Sequence, residues 1–498
     1  MEVAVPKLMT DFLCIADMDA VVMTAVVCSY ISKPDAYLPL FEFPRVSAEN
    51  AETDERNMDQ HHMGRSRAQA FSIMVHNTIN RLRKCDTIVL IGLNEDQKSY
   101  MTFLDDYNII EIHTPDEADT MLGAFTENSS YLLCKEEDVL LGLYIALKEG
   151  KLLQIDPLAE PVQVHTAMDG GLVVVENIER VAPVLAVNYA VASACDIAIV
   201  PTVALDRREI TYHIQDWKEG EGNQNAYNDL SAQIYAGVQD IDFKAYNYAV
   251  FFTRGAPYSL VLGNIIPFCH VHYQYNVDFF VFNSIYFETR ERVASVVVFS
   301  PEEFDDEETL YVAGKAEQAN YYVRKLIGEN ASCANLDNHV QHYPYELLHI
   351  CSHGGEVEGV TIVEDFTDQK GDVHTVEYDH VLSFAVDPKE EKIKVSQKML
   401  FRQFDGLKWR SKELKEKNYP HYVYSDMMNA IKGGTKDKVK SERKIILDSS
   451  SIKCSDFNYQ GMFNFIAADH SPVIFNNTCW SWSDIADSFL GVGARGYI

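Results

Sequence analysis

Short apolar runs alternate along this chain with stretches of helical spacing. Phe12-Leu13-Cys14-Ile15-Ala16 reads as a buried strand closed by Asp17 and Asp19. Val46 to Arg65 is polar and irregular, and predicts a mobile surface loop. Ala70, Ile73, Val75, Ile79 and Leu82 then recur at helical spacing over Ala68 to Arg83. From there the pattern predicts strand Thr87–Gly92, helix Asp96–Asp105, strand Asn108–Ile112 and helix Pro115–Phe125 with Thr114 as its N-cap. Strand Tyr131–Cys134, a helix from Asp138 to Glu149 stopped by Gly150, and strand Lys151–Ile155 follow. Val173–Glu176, Val181–Ala194 and Asp196–Val200 repeat the theme as strand, helix, strand. Such alternation implies parallel strands covered by helices.

Beyond this the chain loosens. Gln215 to Asn225 is rich in Gly, Asn and Gln and is the best linker. The boundary between two domains is expected between it and Tyr246, giving an N-terminal α/β domain over 1–225 and a second domain over 246–498. No sequence repeat is visible. In the second domain, Tyr248–Phe252 and Val293–Phe299 read as buried strands, and Ala316–Ile327 as part of a helix ended by Gly328. Leu347–Cys351 and Val473–Phe475 are further strands, and Trp482–Leu490 is a helix. An insertion over about 360–470 carries strand patterns at Val360–Phe366, Val373–Tyr378, Val381–Ala385 and Ile393–Val395. The fold class is therefore α/β, with a β-rich insertion in the second half.

Composition changes this picture little. With 498 residues there is room for two or three domains. A net charge of −31 argues against nucleic acid, which needs a basic face, and against anionic membranes. Phe12 to Ile31 is apolar, but Asp17 and Asp19 within it would be costly in lipid, so it is read as core. Met1 to Thr10 shows no secretory pattern. The 10 cysteines are scattered without a Cys-x-x-Cys pair, and most sit in apolar runs, which fits free thiols in a reducing cytosol. Lys432 to Lys444 is a basic polar loop in an acidic protein. It is either solvated, a processing site or a contact for an acidic partner.

Two strand ends carry the chemistry. Leu347-Leu348-His349-Ile350-Cys351 runs into Ser352-His353-Gly354-Gly355, and Val473-Ile474-Phe475 runs into Asn476-Asn477-Thr478-Cys479. A thiol needs a nearby base or imidazolium to act as a nucleophile, and His353 at a neighbouring strand end would supply it. Cys351 lies inside its strand and is read as core. The pair His61-His62 lacks acidic or thiol partners at fixed spacing, which rarely makes a metal site. His270 and His272 share one face of an extended segment and could ligate metal, but a half-buried strand explains them more cheaply. No Gly-rich loop follows the strands of the first half, so a nucleotide cofactor is not expected. Asp17-Met18-Asp19 is similar to the nucleophile motif of haloacid-dehalogenase-like phosphatases, but Ala20-Val21 replaces the usual Gly-Thr. Phosphatase chemistry there is a distant alternative, after a non-catalytic scaffold.

The segment Leu-Leu-His-Ile-Cys-Ser-His353-Gly-Gly-Glu resembles the histidine strand of caspase-like cysteine peptidases, which include CHAT domains and separase-type relatives. Val-Ile-Phe-Asn-Asn-Thr-Cys479-Trp-Ser-Trp-Ser-Asp, with Gly491-Val-Gly-Ala-Arg-Gly-Tyr-Ile after it, resembles the CHAT cysteine strand. The likeness covers about 246–498. It implies a mostly parallel caspase-like sheet flanked by helices, a Cys479–His353 dyad and an oxyanion site made by the amides of Gly354 and Cys479. It implies a protein substrate and no cofactor or metal. The first domain would then sense or regulate, through a protein or small-molecule activator. Bacterial defence and cell death are contexts the resemblance implies. Metacaspase-type relatives place Asp two residues before the cysteine to receive a basic side chain. Asn477 stands there here, and Asp484 is another acid close in sequence. A sheet of this family continues past Tyr497-Ile498, so the chain is expected to be a fragment.

Overall fold

The computed structural model describes residues 5–46, 55–164, 166–168, 170–203, 210, 213–214, 217, 224–273, 276–288, 293–302, 307–387, 391–409, 411–433, 439–446, 449–460, 463, 466, 471–479 and 484–498. The chain divides into two compact units, Met1–Ser47 with His61–Thr289, and Ala48–Gln60 with Arg290–Ile498. The expected boundary at 225–246 falls inside the first unit. The linker expected at 215–225 lies largely outside the described residues.

The first unit holds two four-stranded parallel sheets. In one, β1 (Phe12–Asp17), β2 (Leu40–Phe43), β3 (Thr87–Ile91) and β4 (Asn108–Ile112) take the order β2-β1-β3-β4. In the other, β5 (Gly171–Asn177), β6 (Asp196–Pro201), β7 (Tyr248–Thr253) and β8 (Phe268–His272) take the order β6-β5-β7-β8. Parallel strands buried on both faces explain the continuous apolar runs. Cys14, Val89, Val173 and Val250 share one core with Val27, Leu143 and Val187, which belong to helices Val21–Ile31, Val139–Glu149 and Ala182–Ala192. Leu13, Ile88 and Leu90 pack on the opposite face against Phe71, Val75 and Ile79. β7 is thus part of the first unit's sheet, paired to β5 from Tyr248↔Gly171 to Phe252↔Val175, and this pairing displaces the expected boundary.

Several local expectations change. Helix Glu55–Leu82 replaces much of the loop expected at 46–65, because the polar run contains good helix formers and no proline. Thr114 is not the cap of the fourth helix. That helix runs Glu117–Leu122, and its own Glu117 accepts from the His113 and Thr114 amides. Among the described residues, strands Tyr131–Cys134 and Leu152–Ile155 pair only with each other.

The second unit repeats the winding. β9 (Ser295–Ser300), β10 (Tyr322–Ile327), β11 (Leu347–Cys351), β18 (Val473–Asn477) and β19 (Gly496–Tyr497) form a parallel sheet ordered β10-β9-β11-β18-β19. The labels between belong to the insertion: β12 (Gly354–Gly355), β13 (Glu358–Thr367), β14 (Val373–Asp387), β15 (Lys392–Phe404), β16 (Ser451–Lys453) and β17 (Asn458–Tyr459). The helix expected over 316–327 is wrong in its second half. Helix Glu307–Gln318 stops, Asn320 adopts a left-handed φ of 62°, and Tyr322–Ile327 becomes β10, paired to β9. Helices Cys333–His342 and Asp484–Gly491 supply Leu336, Val340, Ile485 and Phe489 to the face bearing Val297, Phe299, Leu348, Ile350 and Ile474. Ala313 of helix Glu307–Gln318 covers Val296 and Val298 on the other face.

The insertion is β-rich as expected. β13, β14 and β15 are long antiparallel neighbours, and the two strands expected within 373–385 are one continuous β14. The basic 432–444 stretch ends a helix, His421–Gly433, and then pairs Val439–Lys440 and Lys444–Ile445 to β13, so its second part is sheet edge rather than loop. Its residues 434–438 lie outside the described ones.

Candidate active site

In an open parallel sheet, ligands collect beyond the carboxyl ends of the strands, near the point where the strand order reverses. In the second unit that point lies between β9 and β11, with β18 next to β11. β11 and β18 run in register from Leu347↔Val473 to Cys351↔Asn477. His353 and Cys479 each follow that last pair by the same short step, so the two strands release them at one sheet end. Both residues are exposed. Eight of the ten cysteines are buried, Cys351 among them, and only Cys269 shares the exposure of Cys479.

The His353 turn is held on both sides. Ser352 is buried, and its Oγ donates to the Lys453 carbonyl at 2.6 Å. The Lys453 amide donates to the His353 carbonyl at 2.9 Å. Gly354 and Gly355 then leave the parallel sheet and pair antiparallel with Ile452 and Ser451. His353 thus sits at the junction of two sheets. Gly354 packs directly on the cysteine segment. A Cβ there would collide with the Cys479 carbonyl oxygen and lie 2.8 Å from Thr478 Cβ. No side chain fits, so the glycine is required by close backbone approach.

Sequence reasoning missed a second layer. His349, 2% exposed, stacks on Phe475 with ring centroids 5.1 Å apart. Its Nε2 meets Glu308 Oε1 at 2.9 Å. Asn477 Nδ2 donates to the other oxygen, Oε2, also at 2.9 Å. One carboxylate from helix Glu307–Gln318 therefore ties the ends of β11 and β18 together. Burial holds the His349 imidazole below its usual range, against the pull of Glu308. The available signal was the acidic run that follows β9 in sequence, Glu302 to Glu308. Asn477, expected as a pocket residue, is exposed and engaged with Glu308. Asp484 begins helix Asp484–Gly491, and its side chain lies outside the described residues.

The other candidates have structural partners. Asp17 Oδ2 accepts from Gln97 Nε2 at 2.5 Å, and Asp19 pairs with Arg45 at 2.6 Å. His270 lies among Phe251, Tyr258 and Phe268, with centroids 5.7, 6.1 and 5.3 Å away. Burial, and then His272, pushes its imidazole down to about 4. The side chains of His61 and His62 lie outside the described residues.

No family model and no curated protein matches the chain. Among solved structures, Cwp6 from Clostridium difficile aligns with 73% of this chain at 11% identity and a TM-score of 0.31. The chain spans 62% of that protein's length. A likeness at this level carries no argument about fold or activity. Among the described residues, no helix is long and apolar enough to cross a membrane.

Proposed function

We propose that the chain is a caspase-like cysteine endopeptidase of the CHAT type, with the second unit as its catalytic domain. The observation that supports it is the in-register pairing of β11 and β18, which delivers an exposed His353 and an exposed Cys479 to one sheet end. The Cys479 sulfur attacks the scissile carbonyl carbon after its proton passes to His353. The tetrahedral oxyanion is stabilised by the amides of Gly354 and Cys479. The C–N bond breaks, His353 protonates the leaving amine, and water hydrolyses the thioester. The chemistry runs on the chain's own side chains. Glu308 places a partly exposed carboxylate beside Asn477, which favours a basic side chain in the substrate. The first unit is proposed to regulate cleavage of a protein substrate, in response to a protein or a small-molecule activator.

The test is a proteome-derived peptide library cleaved by the full chain, compared with Cys479→Ala and His353→Ala. Each substitution is expected to lower turnover by at least about 10³-fold, as for residues acting as one unit. Cleavage that survives both substitutions, or a Cys479 that iodoacetamide labels no faster than Cys269, would sink the dyad.

A further inference from the structure

The second unit also brings together Cys333, Cys454 and Asp456. One ligand atom from each, two sulfurs and a carboxylate oxygen, lie within 4.8 Å of one another. Cys333 opens helix Cys333–His342, and Cys454 follows β16, so residues far apart in sequence meet at one point. Both thiols are buried, at 0% and 3% exposure, whereas Asp456 is exposed and gives the cluster a solvent side.

The surrounding backbone is already arranged. Asp456 Oδ1 accepts from the amides of Cys333 and Phe457, both at 2.9 Å, which fixes the carboxylate's orientation. The Cys454 amide donates to the Phe457 carbonyl at 2.8 Å, closing a tight loop around the two sulfurs. Ser455 binds the opposite segment twice, through its amide to Ala331 and its Oγ to Glu329. The cluster is thus rigid, partly open to water and built from two elements. Each sulfur donates as a thiol to a carbonyl, Cys333 Sγ to Phe457 at 3.4 Å and Cys454 Sγ to Ile452 at 3.8 Å. Two sulfurs beside one carboxylate suit a divalent ion of borderline softness, while magnesium and calcium prefer oxygen alone.

We propose that Cys333, Cys454 and Asp456 form a zinc site, with water as the fourth ligand. Three protein ligands and one open position are an established tetrahedral zinc pattern. Binding exchanges two thiol protons for the metal and releases them to solvent. The ion staples the start of helix Cys333–His342 to the end of β16. β16 also holds the His353 carbonyl through the Lys453 amide, so zinc would brace the turn carrying His353. This inference stands apart from the peptidase reading, because it concerns metal uptake alone.

Cobalt(II) is the probe. The reduced, metal-free full chain is titrated with it, then with zinc. The expected result is one equivalent of cobalt bound per chain, with sulfur-to-cobalt charge-transfer absorption and the intense visible bands of tetrahedral coordination, displaced by zinc. The double substitution Cys333→Ser/Cys454→Ser abolishes both, and Cys269→Ser leaves them unchanged. Asp456→Asn weakens cobalt binding at least about tenfold. Asp456 is exposed, so that variant keeps the test open if the double variant does not fold. Absence of the charge-transfer band overturns the site, as does a band that survives the double substitution. So does a 333–454 disulfide found by peptide mapping, with no cobalt taken up after reduction.

Discussion

His270 is the residue where sequence and structure ask the most different questions. Two histidines on one strand suggest a ligand pair, but this ring is packed among aromatics and its Nε2 is buried without a partner among the described residues. Burial lowers its pKa from 6.5 to about 4, so the folded ring resists protonation. Above pH 6.5 neither folded nor unfolded ring is charged, and no stability is lost. Between 6.5 and 4 the unfolded chain takes up a proton that the folded one refuses, and stability falls as pH falls, by up to about 3 kcal/mol. Buried Glu42 and Asp278 act oppositely, with carboxyls pushed up to about 7 and about 6, mainly by burial. Their folded forms hold protons, so their contribution is lost as pH rises through those values. The wild-type curve therefore mixes two signs, and only a difference isolates the histidine. His270→Phe is expected to gain about 2–3 kcal/mol on wild type at pH 4.5 compared with pH 7.5, read from urea unfolding. Parallel curves for the two proteins would refute the assignment.

At the level of elements, continuous apolar runs such as Val173–Glu176 and Leu347–Cys351 were legible because a doubly covered parallel strand has no polar face to confuse the pattern. Tyr322–Ile327 was not, because this edge strand exposes Tyr322, Arg324 and Lys325 and fully buries only Leu326. Its Arg324 and Lys325 made it look like the tail of the preceding helix. Which strands are neighbours was also hidden. His353 and Cys479 were readable as strand-end residues, but their shared edge depends on β18 returning beside β11 after the long insertion. Glu308 was missed for the same reason, since its partners His349 and Asn477 come from two distant strands. Gly354 tests whether this junction is as tight as it looks. Gly354→Ala puts a methyl group into the Cys479 carbonyl, and the obstacle is backbone that cannot rotate away. Overpacking of this kind costs about 1–3 kcal/mol, so the second unit should lose that much in chemical denaturation. On the proposed peptidase reading, turnover should fall further than stability explains, because Gly354 and Cys479 are pushed apart. A Gly354→Ala chain with wild-type midpoint and wild-type Cys479 labelling would show that the junction yields.

For the whole molecule, the same winding recurs in three sheets: a second strand beside the first, the first beside the third, the third beside the fourth. No sequence repeat announces it, because a buried parallel strand constrains only apolarity and length. The recurrence explains why a Gly- and Asn-rich stretch near 215–225 was a poor guide to the boundary. It connects strands of one sheet rather than two units. Cutting the chain there has a calculable consequence at Glu176. That carboxylate is 1% exposed and accepts from Thr253 Oγ1 at 2.7 Å, Tyr258 Oη at 2.8 Å and the Arg254 amide at 2.8 Å. All three donors lie beyond residue 245. A fragment 1–245 loses them, opens the Glu176 carboxylate to water in their place, and uncovers the edge of β5. A fragment 1–289 keeps β7, β8 and the full donor set. It is therefore expected to unfold in a single cooperative urea transition, with slow amide exchange along Leu172–Val175. Fragment 1–245 should aggregate, or show no such protection. If both fragments fold with equal cooperativity, β7 does not complete that sheet's core, and the boundary belongs where the composition first suggested it.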